Sequence, residues 1–209
     1  MRNAIRLIGL SALVAASVSC GDVVRQGSSP VYLVIDSLAG VRGAVQPGTP
    51  AATLVSDVIT NITSPAPCTT DNPCPIVFGD SGLVTLRAPL KDIGATASLS
   101  PTSNNEVTIS RVHVEFVRAD GRNTPGVDIP YAFDTAVTAT ITAGGTLKDL
   151  GFDLVRIVAK QESPLVQLRS SSNFISAIAK VTFYGTDRTG NAIQVTGQLT
   201  VEFGNFGDF

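Results

Sequence analysis

The 209-residue chain has no tryptophan, one histidine, one methionine and three cysteines. A single imidazole, His113, leaves little material for a histidine-based metal cage or catalytic pair. Charge is sparse as well: only 15% of residues are Asp, Glu, Lys or Arg, and 15 cations against 17 anions give a net charge of −2. Without a basic excess there is no electrostatic footprint for a nucleic-acid backbone. The one extended apolar run, Leu7 to Val18, is shorter than the roughly 20 residues that a membrane-spanning helix needs. Apolar residues, by contrast, are plentiful. At 44% hydrophobic, the chain has enough to build a sizeable core, which excludes wholesale disorder. Its length suits one large domain or two small ones, and no cofactor is expected.

Arg2 and Arg6 precede the apolar run, and small residues lead from it to Cys20, the layout of an export signal. The stretch Ala16-Ser17-Val18-Ser19-Cys20 resembles the lipobox of bacterial lipoproteins, with Ser17 where leucine is favoured. That resemblance implies that residues 1–19 are removed as a signal peptide and that Cys20 becomes the lipidated first residue. Two or three acyl chains would then hold the protein to a membrane, at about 0.8 kcal/mol per buried methylene. Gly21 after the cysteine implies the outer membrane of a double-membraned bacterium. Loss of Arg2 and Arg6 with the leader leaves the remainder two units more negative than the whole chain. Residues 20–29 are polar and Gly/Ser-containing and read as a flexible tether, with one folded domain over 30–209.

An exported chain meets oxidising conditions, and Cys68 and Cys74 form an even pair inside PAPCTTDNPCP, a loop bracketed by prolines. A local disulfide is the expectation. A metal site would need two further ligands, and no His or Cys lies near to supply them.

From Pro30 onward the dominant signal is alternation. Val112, Val114 and Phe116 alternate with Arg111, His113 and Glu115. Ile193, Val195, Leu199, Val201 and Phe203 oppose Gln194, Thr196, Gln198, Thr200 and Glu202. Such period-two patterns mark strands buried on one face. Further strands are expected near 30–36, 52–60, 82–90, 129–142, 151–161 and 174–186, with Asp120-Gly121, Gly144-Gly145 and 187–191 as turns. No sustained helical stripe appears after the leader, although Ala88 to Gly94 has room for one turn. The expected fold is all-β: a single antiparallel β-sandwich of about eight or nine strands. Neither half of the chain offers enough strands to close a sandwich alone.

Residues 181–203, VTFYGTDRTGNAIQVTGQLTVEF, resemble the last hairpin of bacterial immunoglobulin-like and fibronectin type III-like repeats. Thr186, Asp187, Gly190 and Asn191 match the Thr-Asp-x-x-Gly-Asn turn of those repeats. Gly190 and Asn191 tolerate positive φ, and the Asp187 carboxylate is placed to accept backbone N–H groups. The resemblance implies an extracytoplasmic module for adhesion, spacing or display, and no chemistry.

Four other features bear on function. Gly79-Asp80-Ser81-Gly82 resembles the start of the GDSGG signature of chymotrypsin-like proteases, but Leu83 replaces the second glycine, and the sole histidine follows the serine, opposite to that family's order. Asp120, Asp128 and Asp134 offer oxygen ligands of the kind calcium takes, with Arg118 and Arg122 among them and no EF-hand series; turn capping and surface pairing are the expectation. Tyr184 lies opposite the Val181/Phe183 face and is the ring a glycan would stack on. Phe209 matches the terminal aromatic of outer-membrane barrels, but the Thr/Gln-rich faces argue against insertion. The function expected is that of a non-enzymatic, lipid-anchored envelope protein meeting a protein partner through a sheet edge or apolar patch, with no catalytic or metal site. A glycan or small-molecule module is the alternative, and a hydrolase using Ser81 and His113 comes third.

Overall fold

Two long strands, β9 (Ile175–Asp187) and β10 (Ala192–Gly204), run antiparallel through a continuous register from Ala192 opposite Thr186 to Phe203 opposite Ile175. Along β9 every odd residue is buried, from Ile175 to Asp187, while the even ones face outward or are half-covered. This hairpin is the centre of a computed structural model that describes residues 29–91 and 102–207. The export signal, Cys20, most of the tether and Phe209 lie outside the described residues.

The other strands are β1 (Val34–Val41), β2 (Thr53–Asp57), β3 (Thr60–Ile62), β4 (Cys74–Ile76), β5 (Asp80–Arg87), β6 (Val107–Val117), β7 (Phe133–Ile141) and β8 (Thr146–Val155). They form a five-stranded sheet ordered β2-β10-β9-β6-β7, a three-stranded sheet ordered β1-β5-β8, and a small β3-β4 ribbon. The fold is all-β. A short helix, α1 (Ile157–Gln161), and two 3₁₀ turns, Ser103–Asn105 and Leu165–Ser170, complete the described elements.

The two larger sheets meet through their apolar faces. Phe152 of β8 lies edge-on to Phe183 of β9, with ring centres 5.3 Å apart. Gly197 of β10 sits under Ile35 and Leu38 of β1, where a side chain would collide. Phe116 of β6 and Phe203 of β10 also meet edge-on at 5.4 Å, although β9 runs between their strands. Ala177 and Ala179 of β9 are small enough to leave room for both rings.

Several expectations need correction. The five-stranded sheet is mixed, because β2 pairs with β10 in parallel, Thr53 opposite Thr200 through Asp57 opposite Gly204. Such a pairing joins distant segments and leaves no local signature. Ten strands are present among the described residues because 52–60 divides at Val58–Ile59 into β2 and the start of β3, and Cys74–Ile76 adds β4. The first strand begins at Val34; upstream only Val31 makes an isolated bridge, to Leu90. The strand expected over 151–161 stops at Val155, and α1 follows. The described part of 88–94 is not helical. Strand β6 hides a further feature: Val107 and Ile109 are buried, and then Val112, Val114 and Phe116, so the inward parity changes between them. The register shifts there against both neighbours, and against β9 it is a β-bulge with Ser110 as the extra residue.

Cys68 and Cys74 are joined as a disulfide, with Cα atoms 5.3 Å apart, closing the loop between β3 and β4.

Candidate functional site

The two ends of the structure differ in character. At one end the described chain enters at Ser29, which is buried rather than free. Pro30 accepts a hydrogen bond from the Lys91 backbone, and Ala88 pairs with Gly144 and Gly145 nearby. The β9–β10 turn is at this end. Its Asp187 carboxylate accepts the backbone N–H of Thr189 (3.0 Å) and of Asn191 (2.9 Å), the Thr189 hydroxyl (2.7 Å) and the Asn191 amide (2.9 Å). Burial works against the charge, but these donors, together with the Ser29 hydroxyl, hold the Asp187 carboxyl below the usual carboxylate range. Gly190 takes the positive φ, at 86°; Asn191 does not need one. Thr186 stands on the outer face beside the turn.

At the opposite end lies a buried polar cluster that the sequence did not announce. Asp80, the first residue of β5, and Lys160, in α1, have side chains with no exposure, and their charged atoms are 2.8 Å apart. Oδ2 of Asp80 also accepts the Ser56 hydroxyl (2.6 Å), and Oδ1 accepts the Gly43 backbone N–H (2.8 Å). The ammonium further donates to the Asp57 carbonyl at 2.8 Å. Asp57 itself is buried, its carboxylate accepting the Thr60 hydroxyl and the N–H groups of Ile59 and Phe206. Burial lowers the Lys160 amine from the ordinary lysine range, although the Asp80 and Asp57 charges pull the other way. Lys160 falls within a segment expected to be strand, and Asp80 within the Gly79–Gly82 turn. The only sequence hint was a lone cation behind the apolar Ile157-Val158-Ala159.

Also at this end, a groove of about 530 Å³ runs between the loop after β6 and the segment before β9. Its lining is mostly polar (Arg118, Arg122, Asp128, Gln167, Ser172 and Asn173), with Val127, Pro164, Leu168 and Phe174 as its apolar part. Val127 is 65% exposed and Phe174 61%, and Tyr131, also exposed, packs across Gly126 next to Val127.

The remaining candidates are dispersed. Ser81 is in β5 of the three-stranded sheet and His113 in β6 of the five-stranded one, where Nδ1 of His113 meets Asp134 at 3.2 Å. Asp134 also pairs with Arg111 (2.9 Å), Asp120 with Arg118 and Arg122, and Asp128 caps the Thr124 N–H. The three aspartates are thus separately engaged, and among the described residues no three His, Cys, Asp or Glu side chains group as metal ligands. The Arg111 guanidinium lies over the half-buried Tyr184 ring, 3.9 Å from its centre, and covers the face a sugar would use. Among the described residues no helix is long and apolar enough to cross a membrane. Compared with known proteins, the chain matches no family model and no curated protein.

Proposed function

We propose that this chain is a lipid-anchored envelope protein, fastened through Cys20 to the outer membrane, whose immunoglobulin-like sandwich acts by protein contact and catalyses no reaction on another molecule. The observation that carries the reading is the placement of exposed apolar side chains relative to chain entry. Ser29 lies beside Asp187, at one end of β9, and Phe174 precedes Ile175, at the other. Thirteen strand residues separate these ends, roughly 40 Å at the usual rise. A lipid-bound Cys20 lies only nine residues before Ser29, so the turn end is the anchored end and the Val127–Phe174 groove is at the far end of the domain. A groove at the end remote from the anchor suits a neighbouring envelope protein as its occupant. Solvent-exposed rings and branched side chains flanking a concavity are what such contacts use.

Two measurements test this. Mass spectrometry of the native N-terminus is expected to find acylated Cys20, and an unmodified residue there overturns the anchor. A photo-reactive residue in place of Phe174, irradiated in intact cells, is expected to give one discrete protein adduct that is absent when the probe replaces Gln194 on the outer face of β10. Repeated failure to trap any protein at Phe174 overturns the contact role.

A further inference from the structure

We propose that the side chains of Lys160 and Asp80 condense into an intramolecular amide, cross-linking α1 to the start of β5. The inference is independent of the proposed function and rests on the buried cluster alone.

Both partners are sealed from water, in contact at 2.8 Å, and held by groups suited to the reaction. Among the described ion pairs this is the one in which neither side chain has any exposure; the other pairs all reach solvent. A buried ion pair carries a desolvation penalty of several kcal/mol per ion, even after relaxation. Proton transfer from the ammonium to the carboxylate removes both charges and leaves an amine beside a carboxylic acid. Burial favours the neutral amine of Lys160, the form that attacks. Confinement of the two groups also removes in advance the translational freedom that a bimolecular condensation must lose.

The surrounding atoms match the steps. The Nζ lone pair attacks Cγ of Asp80 and forms the C–N bond, while the carbonyl electron pair moves to Oδ1. The Gly43 N–H, 2.8 Å from Oδ1, stabilises the oxyanion. The nitrogen then passes one proton to Oδ2, with the Ser56 hydroxyl at 2.6 Å able to relay it. The Cγ–Oδ2 bond breaks, water leaves, and the electron pair on Oδ1 restores the carbonyl. Of the three ammonium protons, two depart in the water and one remains on the amide nitrogen. That last N–H already has an acceptor, the Asp57 carbonyl at 2.8 Å. No oxidant, metal or external reagent is required.

Intact mass spectrometry of the mature wild-type chain, denatured and with its disulfide reduced, is the test. The expected mass is lower by one water than that calculated for the same processed and acylated chain without the cross-link. Proteolysis is expected to yield a branched peptide joining Asp80 to Lys160. The Lys160→Arg variant is expected to show its own full calculated mass. Asp80→Asn is expected to lose one ammonia in place of the water. Because the wild type itself is measured, misfolding of a variant does not blunt the result. A full-mass wild type with linear peptides containing Asp80 and Lys160 overturns the proposal. So does a water loss that maps elsewhere, for instance to a cyclised Asp120-Gly121.

Discussion

Replacing Asp187 by alanine tests how much of the stability resides in one turn. The carboxylate accepts four hydrogen bonds from Thr189 and Asn191, and Asp187 itself is only 4% exposed. Hydrogen bonds to a charged acceptor contribute about 1.5–3 kcal/mol each, but the donors of an end turn regain water when the acceptor goes. A net loss of about 2–4 kcal/mol follows, and for a domain of this size that lowers Tm by roughly 5–15 °C. Differential scanning calorimetry at neutral pH measures it. The pH dependence has a defined sign. Because the folded-state pKa of Asp187 is depressed, its contribution is complete above the unfolded-state value of about 3.9 and is lost as pH falls through the lower folded value. The gap between wild type and Asp187→Asn should therefore narrow on acidification below about pH 4. A Tm change under about 2 °C for Asp187→Ala, or a gap that stays constant from pH 6 to 3, would refute the reasoning.

Two further outcomes concern the inner face and the ribbon. A Cβ on Gly82 would lie 2.1 Å from the Phe152 ring, which Phe183 holds from the other side, so Gly82→Ala should cost at least about 1–3 kcal/mol. A lower urea midpoint checks it, and pairing the change with Phe152→Leu should recover part of the loss. Breaking Cys68–Cys74 by a double serine substitution should cost about 2 kcal/mol, since the closed loop is short. Amide exchange should rise over residues 60–76 while β9 and β10 keep their protection, a pattern that hydrogen-exchange mass spectrometry resolves.

The hairpin was legible in the sequence because all its determinants are local. Alternation from Ile193 to Phe203 sets the buried face, and Asp187 and Gly190 set the turn. The disulfide was legible for the same reason, since six positions separate its cysteines. In β6 the rule failed half-way. The Val112, Val114, Phe116 alternation was visible, but Val107 and Ile109 obey the opposite parity, and the Ser110 bulge that reconciles them exists only against neighbouring strands. Helix α1 was missed because Ile157 and Val158 have strand preferences and five residues are too few to show a helical period. The Asp80–Lys160 contact joins the start of a strand and a helix far apart in the chain. Neither type nor spacing marks them, and only the packed end of the sheets reveals that both lack water. The Val127–Phe174 groove was missed for a related reason: it forms between two irregular segments that no periodicity connects.

The parallel pairing of β2 with β10 also sets an order of events. Residues 53–57 are made early and 200–204 late, so β2 has no partner until nearly all the intervening polypeptide exists. Non-local pairing of this kind delays collapse, and an unpaired strand remains open to solvent in the meantime. For a polypeptide that must pass through a narrow channel as an extended thread, late closure is an advantage. On the proposal that this chain is exported, it stays pliable during passage and completes the sheet only on the far side.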